Sequence, residues 1–417
     1  MSSISMFYLN ARKISIFFIP PTLFSLTNQS FYALISLCVR KGYSFSAYFL
    51  SYSRSCKCKI LLLFAMNFPF ISTSDLVVGL DIGSHAIKVC QLKKTSNGHA
   101  IVTVGSRVLP EGAVEDGAIN EPEIVSKAIG ALFSNLKIKN KKVGFSISGY
   151  SVIVKKDNLA VMDENQLEEH IMAEAEQYIP FDIDDVYLDF QDLKTNTSDT
   201  DRTDVMLVAA KKDVVDGYLE MLAEVGLTPV IVDIDGFALE NTYEYSYAKT
   251  ENIALIDIGA SKMNINILSQ GISVVARDII VGSRQLTEQI QDMLDIEFEE
   301  AESIKLGAIQ ADDKQQEIGE IFTAVCTQWV LEIKKAVDLY HSNHPDKPLS
   351  KLILSGGGAK VNGLLDFLSR ETKLSVELFN PFNNMASNKK KIDPEYLRSI
   401  GPEMAIATGI ALRPAAL

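Results

Sequence analysis

The sequence predicts an α/β fold with two similar domains and a smaller α/β module inserted between them. The stretch VVGLDIGSHAIKV at residues 77–89 has a second copy, NIALIDIGASKMNINIL, at residues 252–268, which indicates a duplicated unit. Between the two copies, residues 152–233 show strand and helix patterns in the order β-α-β-β-α-β. A length of 417 residues also suggests two or three domains.

Composition and charge exclude some classes of protein. The net charge is −13, from 40 basic and 53 acidic residues, which argues against a nucleic-acid-binding protein. Residues 1–74 contain no acidic residue, and their apolar runs are too short to span a bilayer. We expect Met66 to be the working start, with residues 1–65 a mis-assigned start or a disordered extension; a signal peptide is the alternative, although no small-residue cleavage site follows. After residue 74 the only cysteines are Cys90 and Cys326, which indicates a reducing compartment without disulfides.

Each of the two copies predicts a β-hairpin with a tight turn. An apolar strand runs into Asp-Ile-Gly, one or two small or polar residues follow, and a second strand-like run begins. Glycine permits the close backbone approach and positive φ that such a turn uses. Neither copy enters a helix after three spaced glycines, as a Rossmann fingerprint does. One such turn is most simply an ordinary hairpin, but two that face each other can hold a polyphosphate on backbone N–H groups, with Asp81 and Asp257 on Mg²⁺.

Three later segments add features that suit a nucleoside site. KLILSGGGAKVNGLLDFL, residues 351–368, predicts a strand, three glycines and an amphipathic helix, so that backbone can pass close to a flat ring or a phosphate; a flexible connection is the alternative. In FEEAESIK, Glu302 and Lys305 lie three residues apart on a predicted helix and could reach a ribose and base, although a solvated charge pair is the simpler interpretation. GPEMAIATGIALRP, residues 401–414, predicts a small-residue helix able to pack tightly beneath a site.

In this order the segments resemble the phosphate-1, phosphate-2 and adenosine motifs of the actin-like ATPase superfamily, which includes actin, sugar kinases and FtsA. The resemblance runs over residues 76–413. It implies an actin-like, ribonuclease H-like duplicated fold, with ATP and Mg²⁺ in the cleft between two domains that are each built on a mixed five-stranded sheet. The implied first domain comprises residues 75–151 and 234–251; the second comprises residues 252–417 and returns at its C-terminal helix to the first.

The inserted module, residues 152–233, indicates which branch of the superfamily is closest. Asp163 and Gln166 form a predicted capping box at the start of its first helix, and Pro180 ends that helix. FtsA and its relatives carry such a subdomain. The segment AEAEQYIPFDIDDVYLDF closely resembles the PilM family of type IV pilus assembly proteins, and ALIDIGASKMNINIL and EEAESIK also fit that family.

Resemblance to the PilM family implies an ATP-binding cytoplasmic scaffold that reaches the inner membrane through a partner, without inserting into it and without nucleic acid. Such proteins grip the cytoplasmic N-terminal peptide of PilN, an inner-membrane protein, in a groove between the inserted subdomain and the first domain. They thereby link the pilus alignment complex to the motor ATPases; type II secretion is the related alternative. We expect Tyr178, Ile179, Pro180 and Phe181 to line this groove, unless the segment simply stops the helix and plugs the core.

The same resemblance implies roles for the site residues. Asp81 and Asp257 would hold Mg²⁺, mostly through water, and Lys88 would reach the β- or γ-phosphate as a point charge. Glu302 and Lys305 would hold the ribose and the adenine edge. The residues expected to cradle the phosphates or to pass beneath the base are Gly83, Ser84, Gly259, Ala260, Ser261, Gly356, Gly357 and Gly358.

The sequence identifies no catalytic residue. Phosphoryl transfer to water needs a side chain that orients the nucleophile. Ser146 and Ser148 lie near the place where the superfamily keeps one, but serine is short for that task, and Met263 stands where a threonine is often found. We therefore expect nucleotide binding with slow turnover at most. An FtsA-like filament-forming division protein and a small-molecule kinase of the same fold are the alternative functions.

Overall fold

The computed structural model describes residues 76–193, 201–247, 251–311 and 313–414. Met66 and the predicted extension before it lie outside the described residues. The elements of the first half are β1 (Val78–Ile82), β2 (Ala86–Thr95), β3 (Gly98–Val108), β4 (Val114–Glu115), β5 (Ala118–Ile119), α1 (Pro122–Asn135), β6 (Lys142–Ile147), β7 (Val152–Ala160), α2 (Glu164–Tyr178), β8 (Val186–Asp192), β9 (Arg202–Lys211), α3 (Lys212–Glu224), β10 (Thr228–Ile234) and α4 (Asp235–Ser246). Those of the second half are β11 (Ile253–Ile258), β12 (Met263–Ser269), β13 (Ile272–Ile279), α5 (Arg284–Leu294), α6 (Phe298–Lys305), α7 (Gln315–Asn343), β14 (Lys351–Ser355), α8 (Leu364–Thr372), β15 (Ser375–Leu378), α9 (Pro394–Ile400) and α10 (Ala405–Ala411).

Two five-stranded sheets have the same construction. In the first sheet β1, β2 and β3 form an antiparallel meander, and β6 and β10 continue as parallel neighbours on the other side of β1. The second sheet repeats this order with β11, β12 and β13 as the meander and β14 and β15 as the parallel strands. The central strands β1 and β11 are apolar runs buried almost throughout, as expected of strands covered on both faces. The predicted duplication and the mixed five-stranded sheets are therefore confirmed.

The inserted module has the predicted order of elements, but its strands divide between two sheets. β7, β9 and β8 form a separate antiparallel sheet, and α2 packs on one face of it through Leu167, Ile171 and Ala175. β10 pairs instead with β6, and α3 packs on the first sheet, where Tyr218 stacks on Phe145. The prediction of a self-contained module that includes α3 and β10 is therefore wrong, because the order of elements does not determine which sheet a strand joins.

The start of α2 follows the predicted capping box. The Gln166 N–H donates to Asp163 Oδ1 at 2.9 Å, and the Asp163 N–H donates to Gln166 Oε1 at 3.2 Å. These reciprocal bonds satisfy two backbone donors that the first turn of a helix otherwise leaves without partners. The helix ends at Tyr178, two residues before Pro180.

The C-terminal helix α10 returns to the first sheet and lies directly against its backbone. A Cβ atom on Gly79 of β1 would lie 2.0 Å from Ala407 O, and one on Gly409 would lie 1.8 Å from Ala238 O in α4. Contacts this short leave no room for any side chain. The predicted tight packing of a small-residue helix is confirmed, and it fixes α4 and β1 with respect to each other.

The longest helix, α7, covers the second sheet. Its buried face carries Val325, Trp329, Ile333, Val337 and Tyr340, which belong to the core between this helix and the sheet. Within the described ranges, no helix combines the length and the apolar character needed to cross a bilayer.

Candidate functional site

The turns of the two duplicated hairpins meet at one place between the two five-stranded sheets. Ser84 Oγ in the first turn lies 2.6 Å from Ser261 Oγ in the second. Arg284 ties the same turns together: its backbone N–H donates to Ala260 O at 2.9 Å, and its Nη2 donates to Ser84 O at 3.1 Å. The repeated motif thus brings its two copies face to face.

Each turn is closed by the N–H of its own glycine. The Gly83 N–H donates to Ala86 O at 3.2 Å, and the Gly259 N–H donates to Lys262 O at 2.8 Å. These two amides therefore serve the hairpins, which corrects their expected role as direct phosphate donors. The backbone N–H groups of the turns that donate to no acceptor among the described residues include those of Ser84, His85, Ala260 and Ser261.

A cavity of about 200 Å³ lies where the turns meet. The residues predicted from the sequence that line it are Asp81, Gly83, Ser84, Lys88, Asp257, Gly259, Ala260, Ser261, Glu302, Lys305, Gly356 and Gly357. Gly358 does not line it. A Cβ atom on Gly358 would lie 2.4 Å from Ile258 Cγ2, so this glycine permits close packing on β11 and is not a cavity residue.

Burial opposes the negative charge of the two expected metal-binding carboxylates. Desolvation raises the pKa of Asp257 to about 6; a hydrogen bond from Ser355 Oγ at 2.7 Å acts against this rise, and the charge of Asp81 adds to it. Burial also raises the pKa of Asp81, although the Lys88 ammonium at 3.1 Å acts to lower it. Both carboxylates would therefore be stabilised by a further cation.

No group of three His, Cys, Asp or Glu side chains within the described part of the chain is arranged to hold a metal ion. Asp81 and Asp257 nevertheless line the same cavity. A Mg²⁺ ion between them would complete its shell with water and with oxygens of the ligand, which is how this ion is commonly bound.

A third carboxylate, Asp235, lines the cavity at the first residue of α4. Its Oδ1 accepts from Ser146 Oγ at 2.6 Å and its Oδ2 from Ser148 Oγ at 2.5 Å. Lys262 Nζ lies 3.0 Å from Oδ2 and also contacts Ser148 Oγ. Burial acts to raise the pKa of Asp235, but Lys262 and the two serines outweigh it, so that the pKa is lowered.

Asp235 and Lys262 are residues that the sequence reasoning did not single out. The available signal was VDIDGFAL, in which an acidic residue follows a strand and opens a helix, the place where negative charge is favoured. Ser146 and Ser148, considered as weak water-positioning candidates, instead donate to this carboxylate.

Glu302 and Lys305 form an ion pair on α6, in which Lys305 is buried and Glu302 is half-buried. Lys305 Nζ lies 2.7 Å from the Glu302 carboxylate, which also accepts from Thr287 Oγ1 at 2.7 Å. The Lys305 side chain is 3% exposed, and burial lowers its pKa. The simpler interpretation of these residues as a solvated surface pair is therefore wrong.

The glycine run after β14 forms a tight turn. Gly356 has φ +83°, and a Cβ atom there would lie 2.3 Å from Ile258 O. Its N–H donates to Pro402 O at 2.9 Å, and a short 3₁₀ turn, Gly357–Lys360, follows. The run is held by neighbouring backbone, so the alternative of a flexible connection is excluded.

The predicted partner segment lies at the C-terminal end of α2. Ile179 is 4% exposed and packs in the core of the inserted sheet, so the structure removes it from the expected groove-lining residues. Tyr178 and Phe181 are half-buried and Pro180 is exposed. These three residues are thus accessible to a partner peptide. Their contact with such a peptide stays a prediction.

Both aromatic rings of this segment carry a lysine on one face. Lys155 Nζ lies 4.8 Å from the ring centroid of Tyr178, and Lys211 Nζ lies 4.8 Å from that of Phe181. Such contacts hold the rings in defined orientations and place positive charge beside them. The segment therefore presents aromatic surface flanked by lysine.

Residues 148–151 connect the cavity to the inserted sheet. The first of them lines the cavity. The Gly149 N–H donates to Asp278 Oδ2 in β13 at 3.1 Å, and the Lys211 N–H of β9 donates to Ser151 O at 2.9 Å. This connection thus contacts the second sheet and the inserted sheet at once.

Comparison with known proteins gives one family match and several structural matches. A family model described as type IV pilus assembly protein PilM matches residues 79–415. Among solved structures, a PilM–PilN type IV pilus biogenesis complex is similar at TM-score 0.73 and 27% identity, covering 82% of this chain and 98% of the other. This match, with the repeated sheet order, confirms the predicted actin-like fold class.

Two further solved structures are more distant. The ethanolamine utilization protein EutJ from Carboxydothermus hydrogenoformans is similar at TM-score 0.47 and 17% identity, covering 81% of this chain and 89% of the other. MreB5 of Spiroplasma citri bound to ADP is similar at TM-score 0.44 and 13% identity, covering 80% and 94%.

Proposed function

The chain belongs to the PilM family of type IV pilus assembly proteins, and we propose that it is an ATP-binding scaffold of that assembly which holds a PilN-like membrane protein. The observation that carries the ATP-binding part is the meeting of the two repeated hairpin turns at one cavity. A duplicated acidic turn has no need to face its copy for folding alone, whereas a ligand with several phosphates is contacted from both sides by such an arrangement.

The backbone donors of the two turns suit the phosphates. Ser84 and His85 on one side and Ala260 and Ser261 on the other offer N–H groups without acceptors among the described residues. Lys88 lines the same cavity and adds a point charge. These donors and this charge together form an anion-binding concavity.

The remaining cavity residues suit the metal and the nucleoside. Asp81 and Asp257 would hold Mg²⁺ mainly through water, and the ion would neutralise phosphate charge when bound. Glu302 and Lys305 would contact the ribose and the adenine edge, and the turn at Gly356 would pass beneath the base.

We infer that ATP acts mostly as a structural ligand with slow turnover. Asp235 is long enough to orient a water molecule, as Ser146 and Ser148 are not, but its oxygens already accept bonds from both serines and from Lys262. Three of its roughly four acceptor positions are therefore filled, which reduces its capacity to accept a bond from water. Slow hydrolysis follows from this competition.

The PilN-like partner is inferred from the solved relative, whose complex contains PilN. The aromatic rings of Tyr178 and Phe181, each with a lysine on one face, would contact an extended peptide from its cytoplasmic N-terminus. This partner would hold the scaffold at the cytoplasmic face of the inner membrane and connect it to the alignment complex and the motor ATPases.

The nucleotide assignment is tested by Asp81→Ala and Asp257→Ala. We expect the parent protein to bind MgATP in titration calorimetry and both variants to lose that binding, because each removes one of the two carboxylates that would hold the metal. The matched control is Asp338→Ala on the exposed face of α7, which should bind like the parent. Equal ATP binding by the parent and both cavity variants would show the assignment to be wrong.

A further inference from the structure

Lys262 follows the turn of the second hairpin, and its side chain reaches two residues that directly follow strands of the first sheet, Ser148 after β6 and Asp235 after β10. Its Nζ lies 3.0 Å from Asp235 Oδ2 and contacts Ser148 Oγ. The Lys262 and Asp235 side chains are 22% and 10% exposed. Burial acts to lower the pKa of Lys262, but Asp235 and Asp278 outweigh it, so that the lysine stays charged.

Lys262 donates a hydrogen bond to Asp235, the carboxylate that would orient the attacking water during hydrolysis. To orient an attacking water, Asp235 must accept a hydrogen bond from it at roughly 2.6–3.2 Å. Ser146 already donates to Oδ1, and both Ser148 and Lys262 donate to Oδ2. The ammonium also reduces the tendency of the carboxylate to attract a water proton, because it stabilises the ionised form without one.

Lys262 is not required to supply the positive charge that binds the phosphates, because Lys88 can supply it. Lys88 lies on β2 beside the first turn, pairs with Asp81 at 3.1 Å and lines the cavity. The second lysine therefore has another role, and its short contacts are with Asp235 and Ser148.

We propose that Lys262 is a positioning residue that restrains ATP hydrolysis by occupying Asp235, an inference that rests on the proposed nucleotide site. In the restrained step the water oxygen forms a bond to the γ-phosphorus and the bond from that phosphorus to the β–γ bridging oxygen breaks. ADP leaves with the electron pair of the broken bond, and a water proton passes by way of the Asp235 carboxylate to the phosphate product. Freeing Asp235 therefore speeds this step.

The test compares steady-state phosphate release from MgATP by the full chain and by Lys262→Met, which keeps much of the side-chain length and removes the charge. We expect kcat to rise roughly tenfold or more, since a positioned proton acceptor contributes about 10²–10⁴-fold. KM for ATP should stay equal or rise, because positive charge near the phosphates is lost. Adding Asp235→Asn to Lys262→Met should return kcat to the parent value or below.

A second variant and a control separate this effect from misfolding. Lys262→Gln removes the charge and shortens the side chain, so that its contact with Asp235 is weakened, and it should raise kcat if Lys262→Met fails to fold. Lys351→Met makes the same charge change at a lysine that is also 22% exposed and pairs with Glu251 and Glu377, outside the cavity. Its kcat should equal that of the parent.

Each outcome decides between the two proposals. If the parent protein binds ATP but folded Lys262→Met and Lys262→Gln release phosphate no faster than the parent, the restraint by Lys262 is wrong and the nucleotide site stands. A rise in kcat that survives Asp235→Asn also overturns it, since the effect would not act through that carboxylate. A parent protein that binds no ATP overturns the nucleotide site and this inference together.

Discussion

At the scale of single residues, burial of the Asp257 carboxyl in the cavity lowers the stability of the folded protein. Burial raises its pKa from the ordinary 3.8 to about 6. A carboxyl group with a higher pKa in the folded than in the unfolded state binds more protons when folded, so this group makes stability fall as pH rises from about 4 to about 6. Ionised Asp257 therefore weakens the nucleotide-free protein near neutral pH.

We expect Asp257→Asn to stabilise the nucleotide-free protein at pH 7. A difference of about 2 pH units corresponds to at most roughly 3 kcal/mol in the free energy of unfolding. The gain should shrink as the pH is lowered towards 4 and vanish below about pH 3, where the parent carboxyl is protonated in both states. Thermal unfolding from pH 4 to 7.5 measures it, and Asp338→Asn, at an exposed position on α7, is the control. A variant less stable than the parent at pH 7 without nucleotide would contradict the argument.

Some residues of the site could be predicted because their signal is local. Asp81 and Asp257 each stand in a short motif that occurs twice, and the repetition itself indicated a joint role. Asp235 and Lys262 carry no such signal, because they meet only after β10 has paired with β6 and the two hairpins have come together. Gly83 is predictable as a turn residue. That its N–H donates within the turn, and is therefore not available to a phosphate, is not predictable from the sequence.

At the scale of elements, α10 holds α4 in place through direct contact between their backbones. Gly409 approaches Ala238 of α4 so closely that a Cβ atom would lie 1.8 Å from its carbonyl oxygen. α4 begins at Asp235, so the position of α10 also determines where that carboxylate lies. A change in the helix contact should therefore affect both stability and the cavity.

We expect Gly409→Ala to lower the free energy of unfolding by roughly 1–3 kcal/mol or more, because an added methyl group must push α10 away from α4. Gly130→Ala in α1 is the matched control. A Cβ there meets nothing within 4 Å, so this change should raise the free energy of unfolding by roughly 0.5–1 kcal/mol. Urea unfolding of both variants measures the difference. Equal effects of the two substitutions would refute the close-contact explanation.

The elements themselves were predictable where a pattern is self-contained. The capping box of Asp163 and Gln166, the duplicated hairpins and the small-residue helix α10 all appear as expected. The sheet joined by β10 was not predictable, because the order of elements along the chain does not determine which strand β10 pairs with. Gly358 is a similar case, since its neighbour Ile258 is distant in sequence.

At the scale of the whole molecule, the proposed functions lie on different parts of the fold. The cavity lies where the hairpins of the two five-stranded sheets meet. Tyr178 ends α2 and Phe181 follows it, and both pack against the core of the inserted sheet. Because the two sets of residues are separate, either site can be substituted without changing a residue of the other.

We expect Tyr178→Ala and Phe181→Ala each to weaken binding of a synthetic N-terminal peptide of a PilN-like protein by roughly tenfold or more, since aromatic side chains often dominate interfaces. ATP binding should not change. Tyr396→Ala is the control, because this tyrosine is 42% exposed on α9, outside the inserted sheet. Fluorescence anisotropy with a labelled peptide measures the affinity. Peptide affinity unchanged in both variants would remove this segment from the partner surface.

The connection at residues 148–151 has a mechanical consequence. It is anchored to β13 through Asp278, to β9 through Lys211 and to the cavity at its first residue. If the proposed partner peptide is tethered to the membrane, tension on the inserted sheet would be transmitted through this connection to Ser148 at the cavity. The proposed partner site and the proposed nucleotide site would then be mechanically connected through residues 148–151.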